Sequence, residues 1–85
     1  MITFKDAARK ALEYFSDIYG TQFGNVLVEE VEQSDGYWHI TLGYDLPSVI
    51  TQFGGKAPRG FKAFKIDADT GGVLSMKIRE VERVG

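Results

Sequence analysis

Residues 64–78 read FKIDADTGGVLSMKI. Two arms of alternating apolar and polar residues flank Asp67-Ala68-Asp69-Thr70-Gly71-Gly72. The reading of those six residues decides between a hairpin and a site of chemistry. As a calcium loop starting at Asp67, the segment offers Asp69 at the third position and Gly72 at the sixth. Gly71 at the fifth and Ile78 at the twelfth leave two oxygen ligands missing. As an aspartic protease tripeptide, Asp69-Thr70-Gly71 lacks the apolar strand directly before the Asp, and only 13 residues follow Gly72. Such an enzyme also needs two carboxylates sharing one proton in a shielded position. The turn reading uses every residue. Aspartate side chains bond nearby backbone N–H groups, and glycine supplies positive φ. FKIDA, a turn and GVLSMKI therefore predict two antiparallel strands, with acids that shape a turn and do no chemistry.

Working outward, residues 61–68 place Phe64 and Ile66 on one face and Phe61, Ala63 and Lys65 on the other. Residues 73–81 place Leu74, Met76 and Ile78 inward and Ser75, Lys77 and Arg79 outward. Upstream, YWHITLGYD (37–45) alternates cleanly: Trp38, Ile40, Leu42 and Tyr44 face one way, Tyr37, His39, Thr41 and Gly43 the other. Ser34-Asp35-Gly36 joins it to a strand over 26–33 (VLVEEVEQ). Strands buried on one side only and joined by short turns are antiparallel. A parallel sheet would need crossover helices, and one helix is predicted.

That helix follows Thr3, an N-cap residue with Asp6 placed to complete a capping box. Phe4, Ala7, Ala8, Ala11, Leu12, Phe15, Ile18 and Tyr19 recur at three- and four-residue steps and predict one buried stripe. Gly20 ends it. Residues 46–60 (LPSVITQFGGKAPRG) hold both prolines and read as a long loop. The fold expected is α+β: one N-terminal helix packed on a four-stranded antiparallel meander, as a single domain over 1–85.

The bulk composition narrows the function classes. Eighty-five residues suffice for one helix layer on one sheet. With no cysteine there is no disulfide framework and no thiolate metal site. Charge appears by Lys5, too early for a signal peptide, and no apolar run approaches a membrane span, so a cytoplasmic protein is expected. A net charge of −2 gives no general attraction to nucleic acid or anionic lipid. Lys56, Arg59, Lys62 and Lys65 interleave with Phe53, Phe61 and Phe64, the kind of arrangement that grips single strands, but four charges are few. No nucleophile motif, phosphate-cradling glycine loop or metal-ligand cluster is present, so no catalytic residue, cofactor or metal is expected. His39, the one histidine, reads as a solvent-facing strand residue. Glu29, Glu30 and Glu32 read as a solvated strand edge that discourages edge pairing.

One helix covers one face of such a sheet and leaves the other bare. The predicted bare face carries Tyr37, His39, Thr41, Phe61, Ala63, Lys65, Ser75, Lys77 and Arg79, two aromatics among cations. Tyr37, His39, Phe61, Lys65, Lys77 and Arg79 are the candidate partner-binding residues, with Phe53, Lys56 and Arg59 as candidates in the loop.

An alanine-rich helix ending in glycine, the hairpin VLVEEVEQSDGYWHITLGYD and then FKIDADTGGVLSMKI resemble the PepSY domain. Asp67, Thr70, Gly71, Val73 and Leu74 match the family's strand–Asp–Thr-Gly–strand signature, and the resemblance covers the chain outside 46–60. It implies a helix packed on an antiparallel meander, similar to cystatin-like folds. It also implies a role in restraining peptidases or mediating contacts, with no catalytic residues. The expected function is thus a non-enzymatic bacterial module that binds protein or peptide, or a second copy of itself as a homodimer. The alternative is a small-ligand protein or enzyme with a pocket between helix and sheet near Trp38, Tyr44 and His39. A weak single-stranded nucleic-acid binder is the third reading.

Overall fold

A computed structural model of the chain describes residues 1–46 and 59–79. Helix α1 (Phe4–Tyr19) packs on a four-stranded antiparallel sheet of β1 (Gly24–Ser34), β2 (Tyr37–Asp45), β3 (Arg59–Asp67) and β4 (Val73–Ile78), in the order β1-β2-β3-β4. This is the predicted helix on a meander. The expected loop candidates Phe53 and Lys56 lie outside the described residues. Arg59, expected in the loop, opens β3 instead and pairs with Asp45 of β2.

The capping box forms as its residue types require. The Oγ1 of Thr3 accepts from the backbone N–H of Asp6 at 3.2 Å, and Oδ2 of Asp6 accepts from the N–H of Thr3 at 3.3 Å. At the other end the N–H of Gly20 donates to Ser16 O at 2.7 Å, with Gly20 at φ 61°. Ala7, Ala11 and Phe15 form the buried centre of the helix, in one cluster with Ile40, Leu42, Tyr44, Phe64 and Ile66. Ile40, Leu42, Phe64 and Ile66 are fully buried, each stabilising the fold by roughly 1.5–3 kcal/mol.

The buried stripe is narrower than the periodicity predicts. Leu12, expected inside, is 37% exposed on one flank. On the opposite flank Tyr14 is equally exposed, at 38%, although its ring meets Phe64 edge-on with centroids 6.1 Å apart. Phe4 and Ile18 belong to the terminal turns and are about half exposed. Two small alanines at the centre of the stripe let α1 approach the sheet closely, so the residues directly above it close the gap and those on the flank do not.

The register shifts at three places in the sheet: between Gly24 and Leu27, between Val28 and Glu30, and opposite Lys65 and Ile66. In the β1–β2 pair the register slips between Val28 and Glu30, so that Glu29 is an extra residue. In the β3–β4 pair Lys65 faces Ser75 while Ile66 faces Val73, which leaves Leu74 unpaired. Val73 takes the inward position expected for Leu74, and Leu74 is 55% exposed. Ile78 keeps its inward parity opposite Lys62 but stands at the end of an edge strand, 76% exposed. The hairpin turn places Asp35 at φ 54° and Gly36 at φ 81°, the two positive values a tight turn between twisted strands requires.

Candidate functional site on the outer sheet face

The segment quoted first is a turn in three dimensions. Oδ1 of Asp67 accepts from the N–H groups of Asp69 at 2.8 Å and Thr70 at 3.0 Å, and the hydroxyl of Thr70 accepts from Gly72 N–H at 3.1 Å. Gly71 takes φ 76°. The N–H bonds from Thr70 and then Asp69 hold the Asp67 carboxyl below its ordinary pKa.

The candidate site lies on the sheet face turned away from α1. The strand register arranges it in rows that cross all four strands. One row runs Glu32, His39, Lys65, Ser75; the next runs Glu30, Thr41, Ala63, Lys77. A third brings Leu27, Gly43 and Phe61 into line, and the N–H of Arg79 extends it by donating to Phe61 O at 2.9 Å. All six face residues singled out in the sequence therefore share one surface: Tyr37, His39, Phe61 and Lys65 half-buried, Lys77 and Arg79 exposed.

Charge is graded across this surface, acids on β1 and cations on β3 and β4. Arg79 lies across it like a strap. Its Nη1 donates to Thr41 Oγ1 at 2.8 Å and pairs with Glu30, which helps hold Thr41 at 5% exposure. Arg59 forms a second strap, to Asp45 at 2.7 Å and Glu29 at 3.1 Å, over Gly43. A Cβ on Gly43 would come within 3 Å of Glu29 and Arg59, so its absence makes room for that pair. The ammonium of Lys65 sits 4.2 Å from the Tyr37 ring centroid.

Between the straps and the side chains of Lys65 and Lys77 the surface dips. One depression of about 200 Å³ is lined by Glu30, Glu32, His39, Thr41, Ala63 and Arg79. A second, of about 220 Å³, lies beside it over His39, Ala63, Lys65, Ser75 and Lys77. The two share His39 and Ala63, so together they form a shallow trough with an acidic wall and a basic wall. Among the described residues no group of three His, Cys, Asp or Glu is placed to hold a metal ion.

Sequence reasoning missed the acidic half. Glu29 and Glu30 are ion-paired across the face rather than simply solvated at an edge. The signal was the broken alternation of VLVEEVEQ, where two acids take successive positions because one is the extra residue of the bulge. His39, grouped with Trp38 and Tyr44 around the alternative pocket, stands apart from them. His39 lies on the face opposite Trp38 and Tyr44, because residues one and five apart along a strand point to opposite sides. Trp38 packs against the helix-side core and donates from Nε1 to Ile2 O at 3.2 Å.

Comparison with protein-family models, curated proteins and solved structures returned no match. Among the described residues no helix is long and apolar enough to cross a membrane.

Proposed function

We propose that the chain is a non-enzymatic module that binds an extended protein or peptide segment in the trough of its outer sheet face. The observation that carries this reading is the trough itself: small Thr41 and Ala63 at the floor, Glu30 and Glu32 on one side, Lys65 and Lys77 on the other. An extended segment lying along the strands sends successive side chains to opposite sides. Lys or Arg at one parity would meet the acidic wall, and Asp or Glu at the other would meet the basic wall. Half-buried Tyr37 and Phe61 offer apolar contact beyond the two ends of the trough. The resemblance to PepSY domains supports the same class of role, in which the bound segment belongs to a peptidase or another regulated partner.

The test is an NMR titration of the labelled chain with three synthetic peptides: alternating Lys-Glu, all-Lys and all-Glu. The alternating peptide should shift the amides of His39, Thr41 and Ala63 most, and high salt should weaken the effect. Equal responses to all three peptides, or shifts confined to α1, would overturn the reading.

A further inference from the structure

The two outward edges of the sheet are complementary to each other. In an antiparallel meander of four strands, β1 and β4 run in opposite directions. A second copy placed beside the first, with its helix on the same side, therefore offers β1 to β4 in the antiparallel sense. Among the described residues neither outward edge has a strand partner.

The rows that cross the sheet allow the contact to be read out residue by residue. On the outer face, extending the row Glu30–Thr41–Ala63–Lys77 across the boundary sets Lys77 against Glu30 of the next copy. On the helix side, the row Val28–Leu42–Lys62–Ile78 sets Ile78 against Val28, and the row Val31–Ile40–Phe64–Met76 sets Met76 against Val31. Arg79 falls beside Leu27 and the Glu29 bulge. The Lys77–Glu30, Ile78–Val28 and Met76–Val31 pairings are each of opposite charge or of two apolar groups, while the row Glu32–His39–Lys65–Ser75 sets the neutral Ser75 against Glu32. Ile78, Leu27 and Val28 are 76%, 55% and 38% exposed in the single chain. Two-fold pairings fit worse. β1 against β1 brings Glu29, Glu30 and Glu32 towards their own copies, and β4 against β4 does the same with Lys77 and Arg79; like charges placed opposite are destabilising.

We propose that this chain self-associates head to tail, β4 of one copy adding to β1 of the next, to build a continuous sheet. Such a contact is heterologous, so it gives an open series or a ring of more than two copies rather than a two-fold dimer. Glu30 and Lys77 belong both to this contact and to the trough, but Leu27 and Ile78 line neither depression, so variants at those two positions test the association apart from peptide binding.

Sedimentation velocity over a concentration series tests it. The expected result is an average mass that keeps rising past two copies and falls back in high salt. Leu27→Lys spoils the β1 edge and Ile78→Lys the β4 edge. Both sites are exposed, and circular dichroism checks that each variant keeps its fold. Each variant alone should associate about tenfold more weakly. An equimolar mixture should form a pair and stop, because one intact β4 meets one intact β1 and the remaining two edges oppose lysines. A wild-type chain that stays monomeric at millimolar concentration, or stops at two copies, overturns the proposal. So does either variant associating as the wild type does. If a variant loses its fold, the wild-type series decides the question alone.

Discussion

The ring of Tyr44 lies directly over Gly60: a Cβ built on Gly60 would come 2.6 Å from Cε2 and 2.7 Å from Cζ. The two residues face each other across β2 and β3, and Tyr44 is wedged further by Phe15 and Phe23, with ring centroids at 5.1 and 4.8 Å. The ring has nowhere to go. Gly60→Ala should therefore destabilise the fold by about 1–3 kcal/mol, as overpacking does. Gly43→Ala also meets close atoms, but these belong to the flexible side chains of Glu29 and Arg59, so its cost should be clearly smaller. Urea denaturation of the two variants side by side makes the comparison; equal losses would contradict it.

Lys62 points to the helix side and is only 8% exposed, with its ammonium 5.4 Å from the Tyr19 ring centroid and 5.7 Å from that of Tyr44. Its stem is core material and its charge rests against ring faces. Lys62→Met keeps the stem and should change stability by no more than about 1 kcal/mol. Lys62→Glu puts a carboxylate against electron-rich rings and should cost about 3 kcal/mol. Thermal melts of both variants check the ordering.

Arg79 and Glu30 are each more than 40% exposed at the side chain. Arg79→Ala should accordingly cost no more than about 1 kcal/mol. Its effect on the outer face should be larger than its effect on stability, because it uncovers Thr41 and removes part of the lining of one depression. Faster amide hydrogen exchange confined to the neighbourhood of Thr41, with the melting temperature nearly unchanged, is the expected outcome.

Acid should weaken the fold through two carboxyls. Asp6 is held below its ordinary pKa chiefly by the backbone N–H of Thr3, and Asp67 by those of Thr70 and Asp69. A folded-state pKa that is depressed favours the ionised form in the fold. The stabilisation is thus fully present above the ordinary carboxylate range and is lost as pH falls through it towards the lowered values, between about pH 5 and pH 2. The urea midpoint should drop over that window, and Asp6→Asn and Asp67→Asn should each flatten the profile. A wild-type midpoint flat across the window would refute this.

Local chemistry determined much of this protein from the sequence alone. Thr3 and Asp6 mark the start of α1 and Gly20 its end, because capping bonds and positive φ are demands of neighbouring residues on one another. The alternation of Trp38, Ile40, Leu42 and Tyr44 against Tyr37, His39, Thr41 and Gly43 assigns the faces of β2, because side chains in a strand alternate with period two. Asp67 and Gly71 identify their turn for the same local reason. The outer-face candidates Tyr37, His39, Phe61, Lys65, Lys77 and Arg79 follow from that alternation, and the structure gathers them on one surface.

Only the tertiary structure decided what those residues meet. Which residue sits opposite which depends on register, and register here is altered by the extra residues Glu29 and Leu74, whose positions local pattern does not specify. The bulge at Glu29 brings acids beneath Arg59 and Arg79, and so turns an apparent platform of cations into a trough with two walls of opposite sign. The exposure of Leu12, on the flank of the buried stripe of α1, is likewise a packing outcome. The helical period marks which residues can face inward; contact with Phe64 and its neighbours selects those that do.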